Sequence, residues 1–175
     1  MRPRNVISRF VLVCLLLLAA LGAFAVDETG HPAPRFRAKT TAGDQFNNAS
    51  VKGKVVLFEF WTTWCKYCEA EASLVDDVAK EFADKGLIVL AVDVLEPDQK
   101  VKKYLAEHPR SVPIVLTKDT NLAAMYNAQS YPIYVVIDRD GNIAAEQRGA
   151  AGDAALRRLL KRAGLESKSE SEDED

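Results

Sequence analysis

Two cysteines, Cys65 and Cys68, follow directly after Trp64 and are separated by only two residues. They lie between an apolar run at residues 55–60 and a stretch with helical periodicity that begins at Glu69. Two thiols at this spacing can close a small disulfide and reopen it. Because the pair stands between a predicted strand and a predicted helix, it indicates thiol–disulfide exchange as the chemistry of this chain.

The helix that the cysteines open predicts a different role for each of them. Unpaired N–H groups at a helix N-terminus favour a thiolate, and Lys66 adds a neighbouring positive charge. We therefore expect Cys65 to attack, and Cys68, one turn further and less exposed, to resolve the mixed disulfide. A static disulfide and a metal site are the alternatives, although only His31 and His108 remain as nitrogen ligands.

Glu59 is a carboxylate inside the apolar run, six positions before Cys65. A buried charge is costly unless it is paired, protonated or used in the chemistry. A raised pKa would let Glu59 relay protons to or from Cys68. The alternative is that Glu59 points to an exposed edge of the sheet.

Pro132 lies just before an apolar run at residues 134–137, and the bond between Tyr131 and Pro132 could be cis. Proline has no backbone N–H, so this stretch of backbone is kept out of a strand ladder. On the local pattern alone, a trans proline in a turn is the commoner case.

The remaining pattern predicts the elements that position these residues. Gly86 indicates the end of a helix, and residues 138–142 have the composition of a hairpin turn. The predicted strands are residues 55–60, 87–94, 112–116, 134–137 and 143–147, and the predicted helices are 69–85, 98–108 with Asp98 as cap, 121–128, and a last one capped by Asp153. This order of elements predicts an α/β fold with a mixed β-sheet covered by helices on both faces.

The first residues have the pattern of an export signal. Three arginines among the first nine residues precede an apolar run at residues 10–21, and residues 23–25 match a signal-peptidase site. We expect residues 1–25 to be cleaved, which removes Cys14 and leaves two cysteines in an extracytoplasmic protein, periplasmic or secreted. The alternative is an uncleaved membrane anchor at residues 6–26.

The rest of the chain is predicted to form one domain at residues 31–163, followed by a disordered acidic tail at residues 165–175. The chain holds 23 basic and 25 acidic residues, and no basic cluster indicates a nucleic-acid partner. No large apolar stretch is left unexplained. We therefore expect a monomer, and we expect neither a metal nor a cofactor.

The motifs resemble those of the thioredoxin superfamily, and within it those of the exported TlpA/ResA-like protein disulfide reductases. The resemblance covers most of residues 31–163, and the segments that carry it are residues 32–36, 53–56, 60–68, 92–93, 131–132 and 137–141. It implies a thioredoxin-like fold with an N-terminal strand extension. It also implies an inserted strand–helix segment around residues 95–116.

The resemblance further implies a set of site residues and partners. Cys65 would attack, Cys68 would resolve, Pro132 would be a cis-proline facing them, and Glu59 falls where thioredoxins hold a buried acid. The implied catalytic residues are Cys65, Cys68 and Glu59, and the implied substrate-binding residues are Trp64, Tyr131 and Pro132. The implied partners are proteins that carry disulfides or thiols, together with a membrane electron donor.

The implied function is the reduction of disulfides in envelope proteins by exchange at Cys65-Lys66-Tyr67-Cys68. Lys66 and Tyr67 depart from the residues common between the cysteines of this branch, so the redox potential and the direction of electron flow stay open. One alternative is a peroxiredoxin-like peroxidase: Thr62 and Cys65 match part of that pattern, although Phe58 stands where it has proline. The other is a non-enzymatic module that carries a metal or docks a partner through its two thiols.

Overall fold

The computed structural model describes residues 30–166. The predicted export signal, the alternative anchor and residues 167–175 of the predicted tail lie outside these residues. No helix within the described part of the chain is long and apolar enough to cross a membrane.

Seven strands and four helices follow one another within residues 30–166. The strands are β1 (Arg37–Thr40), β2 (Gln45–Asn47), β3 (Val55–Trp61), β4 (Leu87–Asp93), β5 (Ile114–Thr120), β6 (Ile133–Ile137) and β7 (Ile143–Arg148). The helices are α1 (Lys66–Glu81), α2 (Asp98–Glu107), α3 (Leu122–Met125) and α4 (Gly152–Arg162), with a short 3-10 helix at Ala83–Lys85. Gly86, whose φ is 84°, ends that short helix in the left-handed conformation that glycine adopts without strain.

The strands form one mixed sheet in the order β2-β1-β5-β4-β3-β6-β7. The three central strands β3, β4 and β5 run parallel, while the outer strands on each side pair antiparallel. Every residue of β3 is buried, as a parallel strand covered on both faces requires. The prediction of a mixed α/β sheet is confirmed, and β1 with β2 forms the N-terminal extension at one edge.

Each face of the sheet has its own hydrophobic core. From β3, Val55, Leu57 and Trp61 pack beneath α1 and α4, while Phe58 and Phe60 enter the opposite core. Fully burying a side chain of this size contributes about 1.5–3 kcal/mol. The face that carries Trp61 also carries both cysteines, so this core supports the site.

Three helices begin or end differently from the prediction. Helix α1 begins at Lys66 rather than Glu69, because Cys65 itself caps it. Asp98 and Asp153 lie in the first turns of α2 and α4 instead of capping them, since their carboxylates bind Lys118 and Arg157. The prediction of these two caps is wrong, although acidic residues in a first turn still interact favourably with the helix dipole.

The C-terminal boundary also differs from the expected one. Leu165, which the sequence analysis assigned to the acidic tail, is buried in the core beneath α1 and α4. Its backbone N–H donates to the carbonyl of Leu160 at 3.0 Å. The folded part of the chain therefore continues beyond residue 163.

Candidate active site

Cys65 and Cys68 form a disulfide at the start of α1, with their Cα atoms 5.2 Å apart. Strand β3 ends at Trp61, and three residues connect it to Cys65, whose N–H donates to the carbonyl of Thr62 at 3.2 Å. Cys65 is the cap of α1, because its Sγ accepts a hydrogen bond from the backbone N–H of Cys68 at 3.1 Å. The same N–H would stabilise a thiolate on Cys65 once the disulfide is reduced.

Both cysteines are largely buried, and Cys65 is slightly more exposed than Cys68. Cys65 is 7 % exposed and Cys68 is 2 % exposed. Beside them, Trp64 is 64 % exposed and Tyr67 is also an exposed aromatic residue. An attacking Cys65 and a resolving Cys68 require this order of exposure.

The loop before β6 meets the disulfide segment through aromatic side chains. The peptide bond between Tyr131 and Pro132 is cis. The rings of Tyr131 and Trp64 meet edge to face, with centroids 5.7 Å apart. Of the three residues predicted to bind substrate, Trp64 and Tyr131 are therefore in contact beside the cysteines, and Pro132 follows Tyr131 in the chain.

Glu59 is completely buried in β3, the strand between β4 and β6, so the alternative of an exposed sheet edge is wrong. Its Oε2 accepts a hydrogen bond from Nη2 of Arg110 at 2.9 Å. Burial raises the pKa of Glu59, and the guanidinium of Arg110 opposes that rise. A carboxylate with a raised pKa and a single cationic partner has the properties of a group that can accept and release a proton.

A cavity of about 440 Å³ lies between α1 and the residues around the end of α2. Cys68 and Trp61 line its inner side, and Asp76 and Arg110 also contribute to its wall. The cavity gives solvent a path towards the resolving cysteine from the side of α2.

A second pair of carboxyl groups, Asp93 and Glu96, lies beside the segment that leads to Cys65. Asp93 is fully buried; burial, together with the neighbouring carboxyl group of Glu96, raises its pKa to about 8. Glu96 accepts from the N–H of Thr63 at 2.5 Å and from Nζ of Lys100 at 2.6 Å. Burial opposes ionisation of Glu96, but these donors hold its pKa below the usual value.

Glu71 lies one turn beyond Cys68 and ties α1 to the start of α4. Its carboxylate accepts from the hydroxyl of Tyr134 at 2.8 Å and from the backbone N–H groups of Ala151 and Gly152 at 3.0 and 2.5 Å. These hydrogen bonds satisfy donors that a helix N-terminus leaves free. Burial, together with the nearby carboxylates, raises the pKa of Tyr134.

His31 and His108, the nitrogen ligands of the metal alternative, and Phe58, the residue of the peroxidase alternative, all make ordinary structural contacts. His31 accepts a backbone hydrogen bond from Ile143, and His108 stacks on Tyr104 with ring centroids 4.3 Å apart. No cluster of three or more potential metal ligands occurs within residues 30–166. Phe58 packs in the core on the far face of the sheet, with its ring centroid 5.1 Å from that of Phe36.

Several ionisable residues at this site were missed by the sequence analysis. Asp93 and Glu71 carried a usable signal, because each is a carboxylate within or beside an apolar pattern, as Glu59 is. Arg110 and Asp76 carried none, since they are separated from Glu59 by 51 and 17 positions and resemble ordinary surface residues.

Comparisons with known proteins agree with this geometry. A model of the AhpC/TSA family matches residues 29–146. The thiol-disulfide oxidoreductase ResA of Geobacillus kaustophilus (strain HTA426) is 31% identical over 140 residues, which cover 75% of this chain and 80% of that protein. The thioredoxin-like protein YneN of Bacillus subtilis (strain 168) is 35% identical over 119 residues, covering 66% of this chain and 69% of that protein.

A solved structure extends the likeness to the fold. The thiol:disulfide interchange protein of the thioredoxin family from Chlorobium tepidum TLS superposes with a TM-score of 0.67 at 29% identity, covering 76% of this chain and 95% of that one. The predicted thioredoxin-like fold is thereby confirmed. The chain belongs to the AhpC/TSA family, and its ResA-like relatives and its Cys65–Cys68 pair identify it as a thiol–disulfide oxidoreductase of the thioredoxin-like fold.

Proposed function

We propose that this oxidoreductase is exported and reduces disulfides in proteins of the cell envelope. The observation that carries the proposal is the position of Cys65, which caps α1 and is more exposed than Cys68. A sulfur at this position is stabilised as a thiolate by backbone N–H groups, and the thiolate is the form that attacks a disulfide.

The exchange takes place in two steps that balance in electrons and protons. The thiolate of Cys65 attacks one sulfur of the substrate disulfide, and the other substrate sulfur leaves as a thiolate. Cys68 then loses its proton and attacks Sγ of Cys65, so the Cys65–Cys68 disulfide forms and the second substrate thiolate leaves. Two electrons pass to the substrate, and its two sulfurs take up two protons, which balance the one that Cys65 lost on forming its thiolate and the one that Cys68 lost.

Substrate binding is assigned to Trp64, Tyr131 and Pro132. Trp64 precedes Cys65 directly, and its exposed ring meets that of Tyr131. A polypeptide that brings its disulfide to Cys65 would lie against these rings and along the backbone at Pro132. Aromatic side chains offer much contact area for little loss of conformational entropy.

Glu59 is assigned the proton transfers at Cys68. Cys68 lies in the first turn of α1, and Glu59 lies between Leu57 and Trp61, the β3 residues that pack in the same core as Cys68. Oε1 of Glu59 has no hydrogen-bond partner within residues 30–166. This oxygen is therefore available to receive a proton. The cavity lined by Cys68 and Arg110 would let the proton exchange with solvent.

Export is assigned to residues 1–25, and continued reduction of envelope proteins requires a supply of electrons from across the membrane. A membrane protein that carries a dithiol would provide them by the reverse exchange at Cys65–Cys68. The monomeric state expected from the sequence is part of the same proposal.

The direction of electron flow is tested by titrating the purified protein against glutathione or dithiothreitol buffers while the state of the cysteine pair is followed. We expect a potential of about −250 mV or lower, as in thioredoxin. A value near −120 to −180 mV would instead assign the protein to disulfide formation or isomerisation.

The role of Cys65 is tested by the variant Cys65→Ser in a reduction assay on a protein disulfide. We expect reduction to be abolished, because no other thiol of the mature chain is placed at the helix N-terminus. The variant Cys68→Ser is the matched comparison and should accumulate the mixed disulfide with Cys65. Full activity of Cys65→Ser would refute the proposed mechanism.

Peroxide reduction is the second candidate function. Thr62, three residues before Cys65, is buried with its hydroxyl unpartnered within the described residues, so it could bind a peroxide oxygen. Turnover of hydrogen peroxide by the purified protein with a thiol donor would support this candidate. Stoichiometric copper or zinc that blocks titration of the two thiols would support the metal-carrying alternative instead.

A further inference from the structure

Arg110 joins the strand that carries Glu59 to the helix that carries the cysteines. It lies in the loop after α2, and its side chain is only 5 % exposed. Its Nη2 donates to Oε2 of Glu59 at 2.9 Å, and its Nε donates to Oδ1 of Asp76 on α1 at 2.8 Å. The other oxygen of Asp76 accepts from the N–H of Ser111 at 2.6 Å, which fixes the loop itself.

The charges in this cluster determine what Arg110 does to Glu59. A guanidinium only donates hydrogen bonds and does not lose its proton in proteins, so it favours the ionised carboxylate. Burial raises the pKa of Glu59; Arg110 lowers it, and Asp76 and Glu71 raise it further. Removing Arg110 would thus leave Glu59 with burial and two carboxylates, all of which favour its protonated form.

The geometry leaves one oxygen of Glu59 available. Arg110 binds Oε2, whereas Oε1 has no partner within the described part of the chain. Arg110 and Cys68 both line the cavity between α1 and the end of α2. The arginine therefore lies between the buried carboxylate and the solvent that reaches the resolving cysteine.

We propose that Arg110 is a positioning residue for the second step of the exchange, in which it holds Glu59 as a carboxylate so that Oε1 takes the thiol proton of Cys68. The Cys68 thiolate then attacks Sγ of Cys65, the bond from Cys65 to the substrate sulfur breaks, and that sulfur leaves as a thiolate. The proton on Glu59 passes to solvent through the cavity. This inference rests on the proposed role of Glu59 as the proton relay.

Other ionisable groups near Glu59 must be counted in any test that uses pH. They lie on several elements. Arg110 is in the loop after α2 and Tyr104 is on α2; Cys68, Glu71 and Asp76 are on α1; Tyr134 is on β6, and Asp93 is on β4, two positions beyond the residue that pairs with Glu59. The pKa values of both tyrosines are raised, so neither ionises near neutral pH. Glu71 is held by Tyr134 and the start of α4, which leaves Arg110 and Asp76 as the partners to vary.

The test separates the two steps with a symmetric aromatic disulfide that releases a coloured thiolate. The first release reports attack by Cys65, and the second reports resolution by Cys68. In Arg110→Met we expect the pH profile of the second release, measured relative to the first, to move to higher pH by about one unit or more. At neutral pH this corresponds to a second release slower by about tenfold or more.

Two further variants distinguish this charge effect from a loss of structure. Asp76→Asn also breaks an ion pair of Arg110 but removes a negative charge near Glu59, so the profile should move to lower pH. In a Glu59→Gln background, Arg110→Met should produce no shift. An unchanged profile in Arg110→Met, a shift that persists with Gln at position 59, or an alkaline shift in Asp76→Asn would overturn the inference.

The same traces distinguish failure of this inference from failure of the proposed function. If the unmodified protein releases no thiolate, exchange at Cys65 is itself wrong. If both releases occur and Glu59→Gln resolves as fast as the unmodified protein, the relay fails while the exchange stands. If Arg110→Met does not fold, the acid shift of Asp76→Asn carries the test, and its absence would count against the role of Arg110.

Discussion

Two buried acids, Glu59 and Asp93, lie on the face of the sheet that carries the disulfide, and their surroundings differ. Glu59 is bound by the guanidinium of Arg110. Asp93 has no donor to either oxygen within residues 30–166, and its neighbour Glu96 is itself an acid. The guanidinium therefore opposes the effect of burial on Glu59, whereas burial and a neighbouring acid both favour the protonated form of Asp93.

The proton on Asp93 has a consequence for stability that can be measured. The pKa of Asp93 is raised from 3.8 to about 8 on folding. Between these values the folded protein binds more protons than the unfolded chain, so this group lowers the free energy of unfolding as pH rises. In Asp93→Asn that loss is absent. The difference in free energy of unfolding between the variant and the unmodified protein should therefore increase in favour of the variant from about pH 4 to about pH 8. Above that pH it should stay constant.

Urea unfolding at a series of pH values measures this difference. The matched control is Asp84→Asn, which changes an exposed carboxylate in the short 3-10 helix. A difference for Asp93→Asn that stays constant with pH would show that Asp93 is ionised in the folded protein.

For individual residues, the sequence predicted the site residues whose signal is local, and it missed those whose partners are distant along the chain. Cys65 and Cys68 form a local pattern, and Glu59 is visible as a charge inside an apolar strand. Arg110 has no such signal, because its significance comes from contacts with residues 34 and 51 positions away. No single-sequence pattern indicates which of many basic residues enters the core.

Helix α1 is the element on which the site depends most. It begins at the cap formed by Cys65, binds the start of α4 through Glu71, and binds the loop after α2 through Asp76. These attachments lie at three levels along one helix. The sulfur of Cys65 is therefore positioned by an element that is held at several points rather than by a free loop.

The attachment through Glu71 predicts a loss of stability in Glu71→Gln. An amide keeps one acceptor oxygen and places an N–H group where the other oxygen was, so either Gly152, which donates to Oε1, or Ala151, which donates to Oε2, loses its acceptor. Leaving a buried donor unsatisfied costs about 1–3 kcal/mol. We expect the free energy of unfolding in urea to fall by this amount.

The control for this variant is Glu107→Gln, which makes the same chemical change at an exposed residue of α2. Exposed substitutions usually change stability by no more than about 0.5 kcal/mol. Equal effects at residues 71 and 107 would contradict the structural role assigned to Glu71.

The N-termini of α2 and α4 show that residue type alone does not determine which residue caps a helix. The sequence predicted that Asp98 and Asp153 would cap their helices, as this residue type often does. Both carboxylates bind basic side chains instead, and Pro97 and Ala151 occupy the cap positions. The cap residue of α4 makes no side-chain hydrogen bond, and Glu71 replaces it by accepting from the backbone N–H groups of Ala151 and Gly152. The partner of Asp98 is Lys118, 20 positions along the chain, whereas the partner of Asp153 is Arg157, one turn further along the same helix.

At the scale of the whole molecule, the type of sheet was predictable and the order of its strands was not. Unbroken apolar runs predicted buried parallel strands, and β3 and β4 are such strands. The attachment of β1 to β5 joins segments about 75 residues apart, beyond the reach of any local pattern. The same reason explains Leu165, which follows the last helix among charged residues but packs into the core.

The burial of Leu165 at the C-terminal end of the domain predicts the effect of one further substitution. Leu165→Ala removes a buried side chain from the core beneath α1 and α4, and such changes cost about 2–5 kcal/mol. Leu95→Ala is the matched control, because Leu95 is among the exposed large apolar residues. We expect urea unfolding to show a clear loss of stability for Leu165→Ala and a change of no more than about 0.5 kcal/mol for Leu95→Ala. Equal effects would place Leu165 in a solvated tail, and the domain would then end before it.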